Sequence, residues 1–368
     1  LNYKYINNIL VLIMTEKHSL GNFFEDLYPG LEIIHATPRT ITEGDQSLYI
    51  ALTASRYPLH CDAEFAKSLG FRREVVNDLL TFHIVFGNSV PDISLNAIAN
   101  LGYSDVRFGQ TVYPGDTLKS STTVLARKES SKGDAGVVWV KTIGTNQHDE
   151  VVLSFIRWVL VAKQDKQSKI ENSEAIDTIN QVDRSNLFIP SELNLNAFST
   201  SETGGNWFWD DYAIGERIYH VEGVAIEEAE HQMAARLYQN TARAHFNAYA
   251  LKDSLFGKRV VYGGHIISIA RELSYNGLEN VLKIAACNGG THSNPTFAGD
   301  TIFAWTDVID SFEVDNQDLG ALRLRLIALK NLDPMKDSVD IKIDKDGREV
   351  YNPAVVLDYD YTVLVPKK

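Results

Sequence analysis

The sequence predicts an α+β protein built twice, each copy an antiparallel sheet wrapped around one central helix. Three observations carry this. The chain repeats itself at an offset of 185 positions, which pairs Asp26 with Asp211, Gly30 with Gly215, His35 with His220, Glu43 with Glu228 and His60 with His245. A period that long marks a duplicated domain rather than an array of small repeats. Each copy also contains one apolar segment at helical spacing, VVNDLLTFHIVFGNSV at 75–90 and VVYGGHIISIAREL at 260–273. The rest of each copy is strand-like: DTLKSSTTVLARK, GVVWVKTIG and VVLSFIRWVLV in the first, DTIFAWTDVID, LRLRLIAL and VVLDYDYTVLV in the second. The alternation Leu322-Arg323-Leu324-Arg325-Leu326 marks an antiparallel strand with one wet face.

In chain order, residues 1–20 read as an N-terminal arm. Its apolar run at 9–13 is too short to span a bilayer and lacks a signal-peptide cleavage pattern, so Met14 is the expected natural start. Residues 21–162 form the N-terminal domain, expected to shape a groove rather than to catalyse. It opens with an aromatic-acidic-Gly turn, a strand and a helix-compatible segment, DQSLYIALTAS. Residues 163–205 are polar, rich in Ser, Asn and charge, and read as a linker draped over the surface. Residues 206–368 form the C-terminal domain, expected to be catalytic. Each strand block is announced by Gly-Asp-Thr, at 115–117 and 299–301. One buried helix in an antiparallel sheet, occurring twice, is a tandem double hot dog. Pairing the copies edge to edge into one sheet covers one edge of each and makes the crevice between them the natural ligand site.

Composition narrows the class. At 368 residues two domains are expected, and the net charge of −13 argues against a nucleic-acid surface. Cys61 and Cys287 fall in different copies without metal-ligand spacing, so neither a disulfide framework, a zinc site nor any other metal is expected, and a reducing cytoplasm is the expected setting.

The residues around the two histidines resemble the MaoC-like, hydratase-2 type of R-specific enoyl-CoA hydratases, whose signature is Asp-x-Asn-Pro-Leu-His. The first copy reads Ser55-Arg56-Tyr57-Pro58-Leu59-His60, with Ser55 where the family has its catalytic Asp. The second reads Asn240-Thr241-Ala242-Arg243-Ala244-His245, with Asn240 in that place. The segments YQNTARAHFN, VVYGGHIISIARELSYNGL and NPTFAGDTIFAWTDV are similar to the mesaconyl-CoA hydratases, also called β-methylmalyl-CoA dehydratases. The resemblance implies reversible addition of water across the double bond of an unsaturated, branched dicarboxylic acyl-CoA. It implies a small-molecule acyl-CoA partner, no cofactor beyond the coenzyme A of the substrate, no membrane, and leaves homo-oligomerisation open. The rival readings are another enoyl-thioester hydratase or β-hydroxyacyl dehydratase, and an inactive acyl-CoA binding protein.

Hydration of an enoyl thioester needs a base for water, an acid for the α-carbon, and donors for charge developing on the thioester oxygen. His245 suits both proton steps, because the ordinary histidine pKa lies near working pH. Asn240 cannot ionise and is assigned to orient water, with Glu228 or Glu230 as alternative proton carriers. Gly263 and Gly264 offer bare helix-start N–H groups to an oxyanion. In the first copy Asp78 is the expected N-cap and would compete for those donors. The second copy is therefore the expected catalytic one, with His60 and Ser55 as second choice. Arg243 or Arg56 is expected to meet a substrate carboxylate, and Lys258, Arg259, Arg72 and Arg73 to meet coenzyme phosphates.

Overall fold

The computed structural model describes residues 17–174 and 176–368 together with their side chains; the expectation that Met14 is the natural start lies outside them. The N-terminal copy contributes β1 (Glu32–Ile34), β2 (Arg39–Thr40), β3 (Ala97–Phe108), β4 (Thr117–Glu129), β5 (Ala135–Thr145) and β6 (Val151–Ala162). The C-terminal copy contributes β7 (Arg217–Ala225), β8 (Lys283–Thr291), β9 (Thr301–Glu313), β10 (Leu319–Lys330) and β11 (Val355–Pro366). All join one sheet in the order β1-β4-β5-β6-β3-β8-β11-β10-β9-β7, with β2 pairing to β4. The two halves of the sheet meet where β3 and β8 run antiparallel, with Arg107 opposite Ala286 and Tyr103 opposite Gly290. Each copy thus covers the edge that the other would leave unpaired.

Each half wraps its own helix. Helices α1 (Glu43–Thr53), α2 (Pro58–Cys61), α3 (Ala63–Ser68) and α4 (Asp78–Ser89) belong to the first copy. Helices α5 (Glu228–Leu237), α6 (Arg243–Phe246) and α7 (Gly263–Leu273) belong to the second. Every residue of α4 is buried, as is α7 from Gly264 to Glu272, as the apolar residues at helical spacing in both segments lead one to expect. Helix α4 lies on β4, β5 and β6, and α7 on β7, β9, β10 and β11. One hydrophobic cluster spans both copies. Polar bonds tie them as well, since Tyr49 Oη donates to Ser268 Oγ at 2.9 Å and His83 Nε2 bonds the same hydroxyl at 2.8 Å.

One expectation is corrected at the start of α4. The N-cap is Asn77, whose side chain accepts from the Leu79 N–H at 3.0 Å, and not Asp78. Asp78 instead turns across the seam, taking Lys283 Nζ at 2.5 Å and the Ile284 N–H at 2.9 Å. A buried carboxylate needs a cation more than a helix start needs a second cap. The segment 163–205 carries few regular turns of its own. Its Ile189, Leu193, Leu195 and Phe198 pack on a satellite cluster around Phe65, Leu69 and Phe71. Among the described residues no helix is long and apolar enough to cross a membrane.

Candidate active site

Helix α5 ends at Leu237 with Tyr238 as its C-cap, and Gln239 beyond it adopts a left-handed φ of 54° that turns the chain toward Asn240, only 1% exposed. The Asn240 Oδ1 accepts from the Ala242 N–H at 3.2 Å. That bond assigns the amide and leaves its Nδ2 as the donor. The single turn α6 then presents His245, half-buried, with Nδ1–H donating to the Val260 carbonyl at 2.8 Å. In this tautomer the Nε2 keeps its lone pair. Burial holds the His245 pKa below the ordinary value, against an opposing pull from the Val260 bond, so the imidazole is neutral at pH 7.

Helix α7 begins beside this histidine. Its N-cap, Tyr262, supplies no side-chain cap, so the first turn is bare. The glycines there make room for rings. A Cβ on Gly263 would stand 2.6 Å from Cε1 and Nδ1 of His292, and one on Gly264 would stand 2.4 Å from Tyr262 Cζ.

Asn240, His245, Tyr262, Gly263 and His292 face one cavity of about 340 Å³, whereas Gly264 is buried and does not line it. The C-terminal copy lines it with Asn240, His245, Tyr262, Gly263 and His292; the N-terminal copy with Phe86, Ser94, Asn100, Tyr103 and Arg157. The site is therefore incomplete in either copy alone. No Asp or Glu lines it. His292 was not singled out from the sequence; its one local signal is the turn-forming Asn294-Pro295 behind it, at the end of β8, and both of those also line the cavity. Burial pulls His292 down to about 4, and His245 nearby adds to the effect, so the pair does not carry two protons together. Burial also raises the phenols of Tyr103 and Tyr262, which stay protonated.

Arg157 was likewise missed. It is fully buried, donates Nη2 to Ser89 Oγ at 2.9 Å and lies 4.2 Å from the Phe86 ring centroid, while Nε and Nη1 have no acceptor. Burial lowers its pKa to about 10, which leaves it charged at neutral pH.

The second-choice residues lie elsewhere. Ser55 and His60 are buried, His60 with Nδ1 3.1 Å from the Val75 carbonyl, and burial pulls its pKa to about 4. By the 185-residue offset, cavity-lining Gly263 and Ile98 correspond to Asp78 and Lys283, and those two side chains are bonded to each other. An ion pair stands where the second copy keeps open space.

Of the basic residues, Arg243 is exposed and outside the cavity, and Arg56 is exposed with its guanidinium 5.2 Å from the Tyr275 ring centroid. Arg72 pairs with Asp116 at 3.2 Å, Arg73 with Glu43 at 2.8 Å and Glu74 at 2.6 Å, and Arg259 with Glu228. Lys258 is exposed over the Phe297 ring, between the cavity-lining Phe256 and Val260, and so stands at the rim. Glu228 and Glu230 are exposed and do not line the cavity. Among the described residues no group of three His, Cys, Asp or Glu side chains is placed to hold a metal ion.

Two fused hot-dog repeats with a histidine cavity at their seam define the class of double hot-dog, MaoC-like dehydratases. A crystal structure of a MaoC domain protein dehydratase from Chloroflexus aurantiacus superposes with a TM-score of 0.91 at 50% identity, covering 96% of this chain and 100% of that one. A Mycobacterium tuberculosis protein with a double hot-dog fold superposes at 0.70 with 19% identity, covering 94% and 99%, a likeness of fold alone. The chain belongs to the mesaconyl-CoA hydratase family, whose profile matches residues 7–336. It is 51% identical to the β-methylmalyl-CoA dehydratase of Chloroflexus aurantiacus over 96% of this chain and 100% of that protein. It is 47% identical to the mesaconyl-CoA hydratase of Cereibacter sphaeroides over 95% and 100%.

Proposed function

We propose that the protein is an acyl-CoA hydro-lyase that reversibly adds water across the double bond of mesaconyl-CoA to give β-methylmalyl-CoA. The observation that carries this is the pairing of a neutral histidine, its Nδ1–H held by Val260, with a bare helix start on the same cavity. Water accepts a hydrogen bond from Asn240 Nδ2 and donates one to His245 Nε2. As His245 takes the proton, the oxygen bonds to the β-carbon and the π electrons move toward the thioester oxygen. That oxygen is received by the free N–H at the start of α7, where the helix dipole favours negative charge. The protonated His245 then returns its proton to the α-carbon. Nothing is oxidised or reduced, so the coenzyme A carried by the substrate is the one cofactor the chemistry asks for.

A cavity of about 340 Å³ lies at the small end of ligand pockets, which run from roughly 300 to 1,000 Å³. That favours a short acyl group over a long carrier-bound chain. Lys258 at the rim is the cation placed to meet coenzyme phosphates. A cytoplasmic setting belongs to the same reading, since Cys61 and Cys287 are both free thiols. Incubation with mesaconyl-CoA, followed by the enoyl-thioester absorbance, tests the proposal. The absorbance falls to an equilibrium value if it holds; no turnover of any enoyl-CoA would make the protein a binding module instead.

A further inference from the structure

We propose that Arg157 receives the free carboxylate of the substrate and so makes the site select dicarboxylic over monocarboxylic enoyl thioesters. The inference rests on the hydratase reading for the identity of the substrate, but its physical basis is separate. A buried guanidinium is costly unless an anion compensates it. The buried lysines obey this: Lys163 has Glu129 at 2.5 Å and Lys283 has Asp78 at 2.5 Å. Arg157 has no ion-pair partner among the described residues, only the Ser89 hydroxyl and the face of Phe86.

Its surroundings point to an incoming ligand. Around this one cavity Ser94 Oγ, both polar atoms of Asn100, Tyr262 Oη and two nitrogens of Arg157 are buried with no partner. Orphaned buried polar atoms are rare in native proteins and costly. Here they gather beside the only formal charge lining the cavity, since its histidines are neutral and it holds no carboxylate of its own. The wall that carries them is the N-terminal copy, apart from Tyr262, and it faces the wall that carries His245. In mesaconyl-CoA the free carboxylate sits on the β-carbon, the atom that water attacks. Anchoring it fixes the β-carbon against the His245 side of the cavity. Arg157 also supersedes Arg243 and Arg56 for this role, because both of those are exposed and outside the cavity.

Arg157→Met, close in length and without charge, tests this. The kcat/KM for mesaconyl-CoA relative to that for crotonyl-CoA, an enoyl thioester with no carboxylate, falls about 100-fold. Free mesaconate raises the Tm of the wild type, inorganic phosphate does not, and the variant loses the mesaconate shift. An unchanged substrate ratio, or a mesaconate shift that survives in the variant, overturns the proposal. Should the wild type turn over neither thioester, the hydratase reading fails, and the mesaconate shift alone decides the role of Arg157. If the variant does not fold, Asn100→Ala reads the same discrimination, with a loss of about tenfold against mesaconyl-CoA, and an unchanged ratio there refutes it.

Discussion

Adding a single methyl at Gly263 separates the chemical role of the α7 start from its contribution to stability. The new Cβ would lie 2.6 Å from His292 Cε1 and Nδ1 and 2.8 Å from Cγ, whereas ordinary carbon contacts begin near 3.4 Å. The imidazole must therefore retreat by most of an ångström, or the first turn of the helix must move. Overpacking of this kind costs about 1–3 kcal/mol, partly offset by the better helix propensity of Ala, at most about 1 kcal/mol. The net change in stability is then about 0–3 kcal/mol, a modest shift in Tm. Activity responds far more, since misplacing one oxyanion donor costs about 10²–10³ in kcat. The assay is steady-state loss of enoyl-thioester absorbance beside a thermal melt. Gly289→Ala is the control, because nothing lies within 4 Å of its added Cβ. A Gly263→Ala enzyme within about threefold of wild-type kcat would refute the assignment of this helix start to charge stabilisation.

Other expectations follow from the buried charges. His60, His220 and His292 are held near 4 and His265 near 3 by burial, against about 6.5 in the unfolded chain. The unfolded state therefore binds more protons in this window. Stability to urea is full above about pH 6.5 and falls as pH drops toward 4; a flat profile there contradicts the neutral, buried assignment. The acid limb of kcat/KM should lie below the ordinary histidine pKa, because burial lowers that of His245; a limb above about 7 would point to another base. Lys283→Met alone leaves Asp78 buried and unpaired and should cost about 3–5 kcal/mol, most of it recovered in Lys283→Met with Asp78→Leu. Equal losses in the single and double variants would show that the pair carries no such coupling.

Much of the architecture was legible because duplication repeats the same physical demand at a fixed offset. The equal spacing of His60 and His245 and the paired apolar helices are visible without any structure. Fusion of the two sheets follows from the cost of bare edges. The bare start of α7 was legible as well, though its cause is Tyr262, which stands at the 185-residue offset from the capping Asn77 and supplies no side-chain cap. Arg157 was hidden inside VVLSFIRWVLVA, where it reads as one polar residue in a strand. A signal was present: it occupies the inward phase shared with Phe155, Val159 and Val161, where a charge needs a reason. His292 lies at the end of β8 and meets His245 through folding alone, so no spacing reveals it. The cap at α4 was misplaced by one residue because Asp78 answers to Lys283, 205 positions away, rather than to its own helix. The resemblance supplied a substrate with a carboxylate, but the exposed Arg243 beside the motif drew attention from the buried arginine on the other copy.

On the proposed function, one histidine of the duplicated pair works while its twin is packing. Single-turnover hydration of mesaconyl-CoA by His245→Ala and His60→Ala, normalised to folded protein by circular dichroism, tests it directly. His245→Ala should lose about 10²–10⁴, and His60→Ala should keep near wild-type turnover per folded molecule. Loss confined to His60→Ala would contradict it.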